Sequence, residues 1–259
     1  MKMKMNPILA VALGVTVASI STTRAATVAY WRFEPGNLTA DSSGNGHTLV
    51  NSGATSSGDV SIMAPGTGSA SFDGTDIMNT LSSLDLTAAS AITIEWFGKT
   101  TDTDAIVFEH SPNYNLTEGA FINIIENGGT RWVFSQLAPF SYFQETNQLG
   151  DTGWHHYAVT IDGSQAGTDR IKQYRDYQYL GAGDLQLGFF EPSPDFANQI
   201  LYLGARSGGA LSYTGLLDEF RISDVLLAPG DFIPEPSVVG LALLSFLGLQ
   251  GIRRRTRSL

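Results

Sequence analysis

Between residues 28 and 223 the chain consists of short runs rich in β-branched and aromatic residues, separated by Gly, Asp, Asn and Ser, with helical periodicity almost absent. Ten such runs are expected to be strands, at residues 28–33, 69–72, 92–98, 105–109, 120–126, 130–136, 155–161, 170–174, 200–205 and 215–223. In Ile92-Thr93-Ile94-Glu95-Trp96-Phe97 the isoleucines and Trp96 alternate with Thr93, Glu95 and Phe97, and Tyr157-Ala158-Val159-Thr160-Ile161 alternates likewise. Period two places alternate side chains on opposite faces of a half-buried strand. Many short strands without helices to cover them bury their apolar faces against one another, so the expected fold is all-β, a sandwich or jelly roll of two antiparallel sheets.

No cysteine occurs in the chain, so a secreted body would be stabilised by its core or by metal rather than by disulfides. Residues 26–233, 208 in number, suffice for a sizeable single core, and no internal repeat or long linker divides them. The Gly/Ser-rich stretch 51–71 is read as a long loop.

The two ends carry targeting signals. Lys2 and Lys4, then 13 residues from Ile8 to Ile20, then Thr23 and Ala25 make a secretory signal peptide over residues 1–25, and the mature chain is expected to begin at Ala26. At the other end, Pro234-Glu235-Pro236 precedes an apolar run, with Arg253, Arg254, Arg255 and Arg257 behind it. The 16 residues from Ser237 to Ile252 form a short hydrophobic helix, below the ~20 that span a bilayer comfortably. Residues 233–257 resemble the PEP-CTERM sorting signal of Gram-negative bacteria. That resemblance implies an exosortase-type processing enzyme as partner, at least transient contact with the inner membrane, and delivery to the cell surface or extracellular matrix. An ordinary tail anchor is the alternative reading.

Seven of the 15 basic residues lie in these two ends, which leaves residues 26–233 with 8 bases against 24 acids, a formal charge of about −16. Such a body has no affinity for nucleic acid, because a polyanion releases no counterions on meeting another. The acidity suits divalent cations or simple solubility.

Five blocks within the body occur in the order seen in LamG-like, concanavalin A-like jelly-roll domains, and the chain resembles that family over residues 26–230. They are Trp31-Arg32-Phe33-Glu34; Asp41-Ser42-Ser43-Gly44-Asn45-Gly46-His47; Ser71-Phe72-Asp73-Gly74; Gly153 to Gly163, which contains Trp154-His155-His156-Tyr157; and Tyr213 to Ser223, which contains Leu217-Asp218-Glu219-Phe220. One departure stands out: the family's Tyr-x-Asp-Gly turn is here Tyr174-Arg175-Asp176-Tyr177, so the hairpin must place a residue with a Cβ at the turn. Trp31, Trp96 and Trp154 are expected to be core. His155 and His156, adjacent in a strand, face opposite ways and cannot share a metal, and one of them is expected inside. His47 and His110 are assigned to separate loops.

The resemblance implies a structural calcium held by Asp41 and Asn45 of the first loop with Asp218 of the last strand, since oxygen ligands on flexible loops suit that ion. The competing reading is an Asx turn with no metal. Catalysis has little support. Glucanases of this architecture set two carboxylates ~5 Å apart from an alternating acidic triplet, which is missing here, and no nucleophile or zinc motif occurs. Phe140, Tyr142 and Phe143, outside clear strand alternation, are candidates to stack on sugar rings. The expectation is an exported carbohydrate-binding, adhesion or structural module of an extracellular polysaccharide matrix. A polysaccharide hydrolase or lyase on the same fold is the alternative.

Overall fold

The structure is a computed structural model that describes residues 27–111, 121–126, 129–134, 141–144, 152–165, 171–182 and 196–233. Among the described residues seventeen strands run in chain order: β1 (Thr27–Trp31), β2 (Leu49–Ser52), β3 (Thr55–Ser57), β4 (Ser69–Asp73), β5 (Ile77–Thr80), β6 (Leu84–Asp85), β7 (Ala91–Thr100), β8 (Asp104–His110) and β9 (Phe121–Glu126). They continue as β10 (Gly129–Phe134), β11 (Ser141–Gln144), β12 (His155–Asp162), β13 (Ile171–Arg175), β14 (Gln178–Ala182), β15 (Asn198–Gln199), β16 (Leu201–Leu203) and β17 (Thr214–Ser223). The eight-stranded sheet has the order β14-β13-β12-β7-β17-β4-β3, with β1 also pairing with β17, and the seven-stranded sheet the order β11-β10-β9-β8-β16-β5-β2. All their pairings are antiparallel. The two sheets pack as a jelly-roll sandwich.

Each of the ten expected runs contains a strand among its described residues. The stretch 51–71, expected to be a loop, instead contains the end of β2 and all of β3, two strands whose burial is confined to Leu49 and part of Ser57. Short polar edge strands carry no apolar alternation, so their sequences resemble loops.

Between the sheets, β7 sends Ile92, Ile94 and Trp96 inward, where they meet Trp31, Phe72, Phe108, Phe121, Trp132, Phe220 and Tyr213 in one buried cluster. Trp96 is central. Its ring centroid lies 5.4 Å from Phe108, 5.8 Å from Trp132 and 6.1 Å from Phe220. Such aromatic pairs add to the area each ring buries.

The other face of the large sheet is covered as well. Ala64 and Ile233 pack on Phe97 with Tyr30, Met63 and Trp154 around them, while Leu227 and Phe232 pack on Ala158 with Tyr174 and Tyr177. Trp154 is therefore not in the central core as expected. It is half-buried on the outer face, where its indole N–H donates to Asp59 Oδ1 at 2.8 Å. His110, assigned to a loop from sequence, ends β8 instead. It is fully buried, stacked 4.7 Å from Phe121, and its Nε2 lies 3.0 Å from the Leu84 carbonyl. Burial pushes its pKa down to about 4, so it is neutral at physiological pH.

Candidate functional site

On the outer face of the large sheet, Thr93, Glu95 and Phe97 of β7 are buried although their strand alternation points them away from the core. What covers them is the chain's own segment 224–233. Thr93 Oγ1 donates to the Val225 carbonyl at 2.7 Å and accepts from Leu227 N at 2.9 Å. Glu95 Oε1 accepts from Arg221 Nε at 2.7 Å, and its Oε2 accepts from Ile233 N at 2.7 Å and lies 3.1 Å from His156 Nε2. These contacts offset the cost of burying the carboxylate. The sequence expectation of one inward, hydrogen-bonded histidine thus holds for His156, beneath a covering segment rather than between the sheets.

A second buried acidic group lies where β17 bulges. Asp218 and Glu219 follow one another at a register shift, and Glu219 takes φ 50°, so these adjacent residues do not alternate as in a regular strand. Tyr30 donates its hydroxyl to Glu219 Oε2, and Arg32 Nε lies 3.3 Å from Glu219 Oε1. Arg32 also pairs with Glu34 at 3.0 Å. Gly66 passes so close that a Cβ there would come within 2.9 Å of both Glu34 Oε1 and Glu219 Oε1. Asp218 Oδ1 accepts from Glu219 N at 2.8 Å, whereas its Oδ2 is buried without a partner. Burial, and then the charge of Glu219, push the Asp218 carboxyl up to about 8. Burial likewise raises Glu219, with Tyr30 and Arg32 opposing it.

Beside the covering segment lies an open groove of about 590 Å³ lined by Thr160, Asp162, Gln165, Lys172, Tyr174 and residues 226–228. The register Thr160↔Lys172 and Ala158↔Tyr174 aligns these positions across β12 and β13. Asp162 Oδ1 accepts from Ser164 N at 2.9 Å and from Ser164 Oγ at 2.7 Å, which fixes the carboxylate at the groove end. Hydroxyl, amide, carboxylate and ammonium groups beside one phenol ring can hydrogen-bond a polyol while stacking on its apolar face. Sequence reasoning missed this groove. Its signal was the shared parity of Thr160, Asp162, Lys172 and Tyr174, but the wall of Leu226, Leu227 and Ala228 comes from a segment whose docking no local pattern announces.

Among the described residues no hydrogen bond joins Asp41 or Asn45 to Asp218, and each has its own partners. Asp41 accepts four hydrogen bonds, from Tyr30 N (3.0 Å) and Ser43 N (2.8 Å) on Oδ1 and from Ser43 Oγ (2.8 Å) and His47 N (2.9 Å) on Oδ2. Burial opposes its ionisation, yet these donors hold its pKa below the usual carboxylate range. Asn45 turns its NH2 to the carbonyls of Thr27 and Val28, both at 2.9 Å. Trp31 bridges to Asp41 and pairs in β1–β17 register with Phe220, while Asp218 has the separate surroundings described above. A carboxylate with all its lone-pair sites occupied does not fit a calcium ligand, and the loop is an Asx turn. Among the described residues no group of three or more His, Cys, Asp or Glu side chains could hold a metal ion.

Tyr142 and Phe143, expected outside strands, lie on β11 in register with Val133 and Trp132. Phe140, the expected signal peptide 1–25, the motif Pro234, Glu235 and Pro236, and Arg253, Arg254 and Arg255 lie outside the described residues. Among the described residues no helix is long and apolar enough to cross a membrane.

Residues 72–231 match the Laminin_G_3 family, described as the concanavalin A-like lectin/glucanases superfamily. No curated protein matches the chain. Among solved structures, domain 4 of AbnA, a GH43 extracellular arabinanase from Geobacillus stearothermophilus in complex with arabinotriose, is similar with a TM-score of 0.53 and 16% identity, over 81% of this chain and 98% of that one. The binding domain of botulinum neurotoxin serotype D/C VPI 5993 is similar with a TM-score of 0.60 and 8% identity, and that of serotype G with 0.59 and 12%. Each of these two matches covers 80% of this chain but only 51% and 50% of the toxin domain. At such identities the likeness is one of fold.

Proposed function

The chain belongs to the Laminin_G_3 family of the concanavalin A-like lectin/glucanases superfamily, and we propose that it is an exported, surface-sorted module that binds carbohydrate in an extracellular polysaccharide matrix. The groove carries this reading: Thr160, Asp162, Gln165, Lys172 and Tyr174 present polar groups and one ring along an open trough. Among its described lining residues Asp162 contributes a carboxylate that can accept hydrogen bonds from sugar hydroxyls. Support by fold analogy comes from the similar arabinanase domain, which was solved with arabinotriose. Export and sorting rest on the signal peptide and on the Pro-Glu-Pro, apolar and arginine succession at residues 234–257.

A glycan array probed with the mature protein tests the proposal. Lys172→Ala with Gln165→Ala should weaken retention on the captured glycan at least about tenfold, the effect of removing ~1.4 kcal/mol of polar contact, while the melting temperature stays unchanged. Retention equal to wild type, or no glycan captured, overturns it.

A further inference from the structure

The turn between β13 and β14 is strained in a way the sequence does not need. Asp176 and Tyr177 take φ 48° and 64°, a region that favours glycine, and the resembling family has glycine at the position of Tyr177. A bulky residue persists in such a conformation where its surroundings hold it there and its side chain has a task. Tyr177 has both. Its ring stacks on His156 at 4.5 Å with an interplanar angle of 3°, and its hydroxyl donates to the Ile233 carbonyl at 2.9 Å. Asp176 secures the same turn, accepting from His156 N at 3.0 Å and lying 2.7 Å from His155 Nδ1.

The N–H of the same Ile233 goes to Glu95 Oε2, so both backbone polar groups of that residue are captured by side chains of the sheet. Arg221 Nη2 donates to the Asp231 carbonyl at 3.0 Å, Thr93 holds residues 225 and 227, and Phe232 and Ile233 are buried. We infer that Tyr177, Glu95, Arg221 and Thr93 form a clasp for the chain's own segment 224–233, closing it to proteases up to the residue that precedes Pro234-Glu235-Pro236. The enzyme that processes the tail then cuts at or beyond the end of the clasp. The processing step rests on the proposed sorting signal, whereas the clasp stands without it.

Hydrogen–deuterium exchange of the full chain tests the clasp through Tyr177→Gly. This substitution relaxes the turn but removes both ring and hydroxyl, so residues 224–233 should exchange at least about fivefold faster while β7, which reports global folding, stays protected. Tyr177→Phe keeps the ring and loses one hydrogen bond, which should give a smaller acceleration confined to the end of the segment. Unchanged exchange of 224–233 in both variants would mean that Tyr177 is only a turn residue and would overturn the inference. Intact mass of the exported wild-type protein tests the processing step separately: a C-terminus at or after Ile233 supports it, and one within 224–232 overturns it.

Discussion

The two faces of the large sheet are drawn from the same strands, yet they are buried by opposite means. The inner face is apolar and aromatic, with Trp96, Ile94, Phe220 and Val159 packed against the second sheet. The outer face carries Thr93, Glu95, His156, Asp218 and Glu219, all buried, beneath loop residues such as Ala64 and the segment 224–233. Burial on the inner face follows from hydrophobicity. On the outer face it follows from what happens to lie on top, and the polar groups remain there because most are hydrogen-bonded to their cover. Glu95 is fully engaged, whereas Asp218 keeps one buried oxygen unpartnered.

This contrast breaks most visibly at Trp96. Trp96→Ala removes the ring that links both sheets and should cost about 3–5 kcal/mol, read as a lowered denaturant midpoint with little change in slope. A loss below about 1 kcal/mol would show that the inner face is not the principal source of stability.

Asp218 should respond in the opposite sense. The folded protein holds a proton on this carboxyl up to about pH 8, while the unfolded chain sheds it near the ordinary value of 3.8. The folded state therefore binds more protons across that window, and stability declines as pH rises from about 4 to about 8. Asp218→Asn should match wild type near pH 4 and be more stable by about 2–4 kcal/mol near pH 8. His110 contributes with the other sign: its pKa of about 4 lies below the unfolded 6.5, so its contribution is complete above pH 6.5 and is lost as pH falls toward 4. Urea titrations of the variant at several pH values check both slopes, and an unchanged alkaline slope would mean that Asp218 is ionised in the fold.

Calcium sharpens the comparison through the smallest effect. With Asp41 saturated by four donors, millimolar calcium or a chelator should leave the melting temperature within about 1 °C. A rise of several degrees would show that Asp218 and its acidic neighbours rearrange around an ion.

Much of the sandwich was legible because alternation encodes the inner face. Ile92, Ile94 and Trp96, or Val159 and Ile161, announce themselves by parity alone. The edge strands β2 and β3 were not legible, since Thr55, Ser56 and Ser57 bury too little to leave a pattern. His110 escaped because a histidine at a strand end reads as polar until its surroundings are known. The departure at Tyr177 was visible as a missing glycine, but its purpose was not, because Ile233 is 56 residues further along the chain.

What the sequence determined by itself is therefore the all-β class, the two-sheet arrangement and the acidity of the body. Those properties depend on composition, on parity and on contiguous motifs, all of which are local. The groove beside residues 226–228, the saturated Asp41, the protonated Asp218 and the clasp on Ile233 were decided only by tertiary structure. Each depends on which distant segment lies over the outer face of the sheet, and that cover sets the desolvation and hydrogen bonding from which the chemistry of these groups follows.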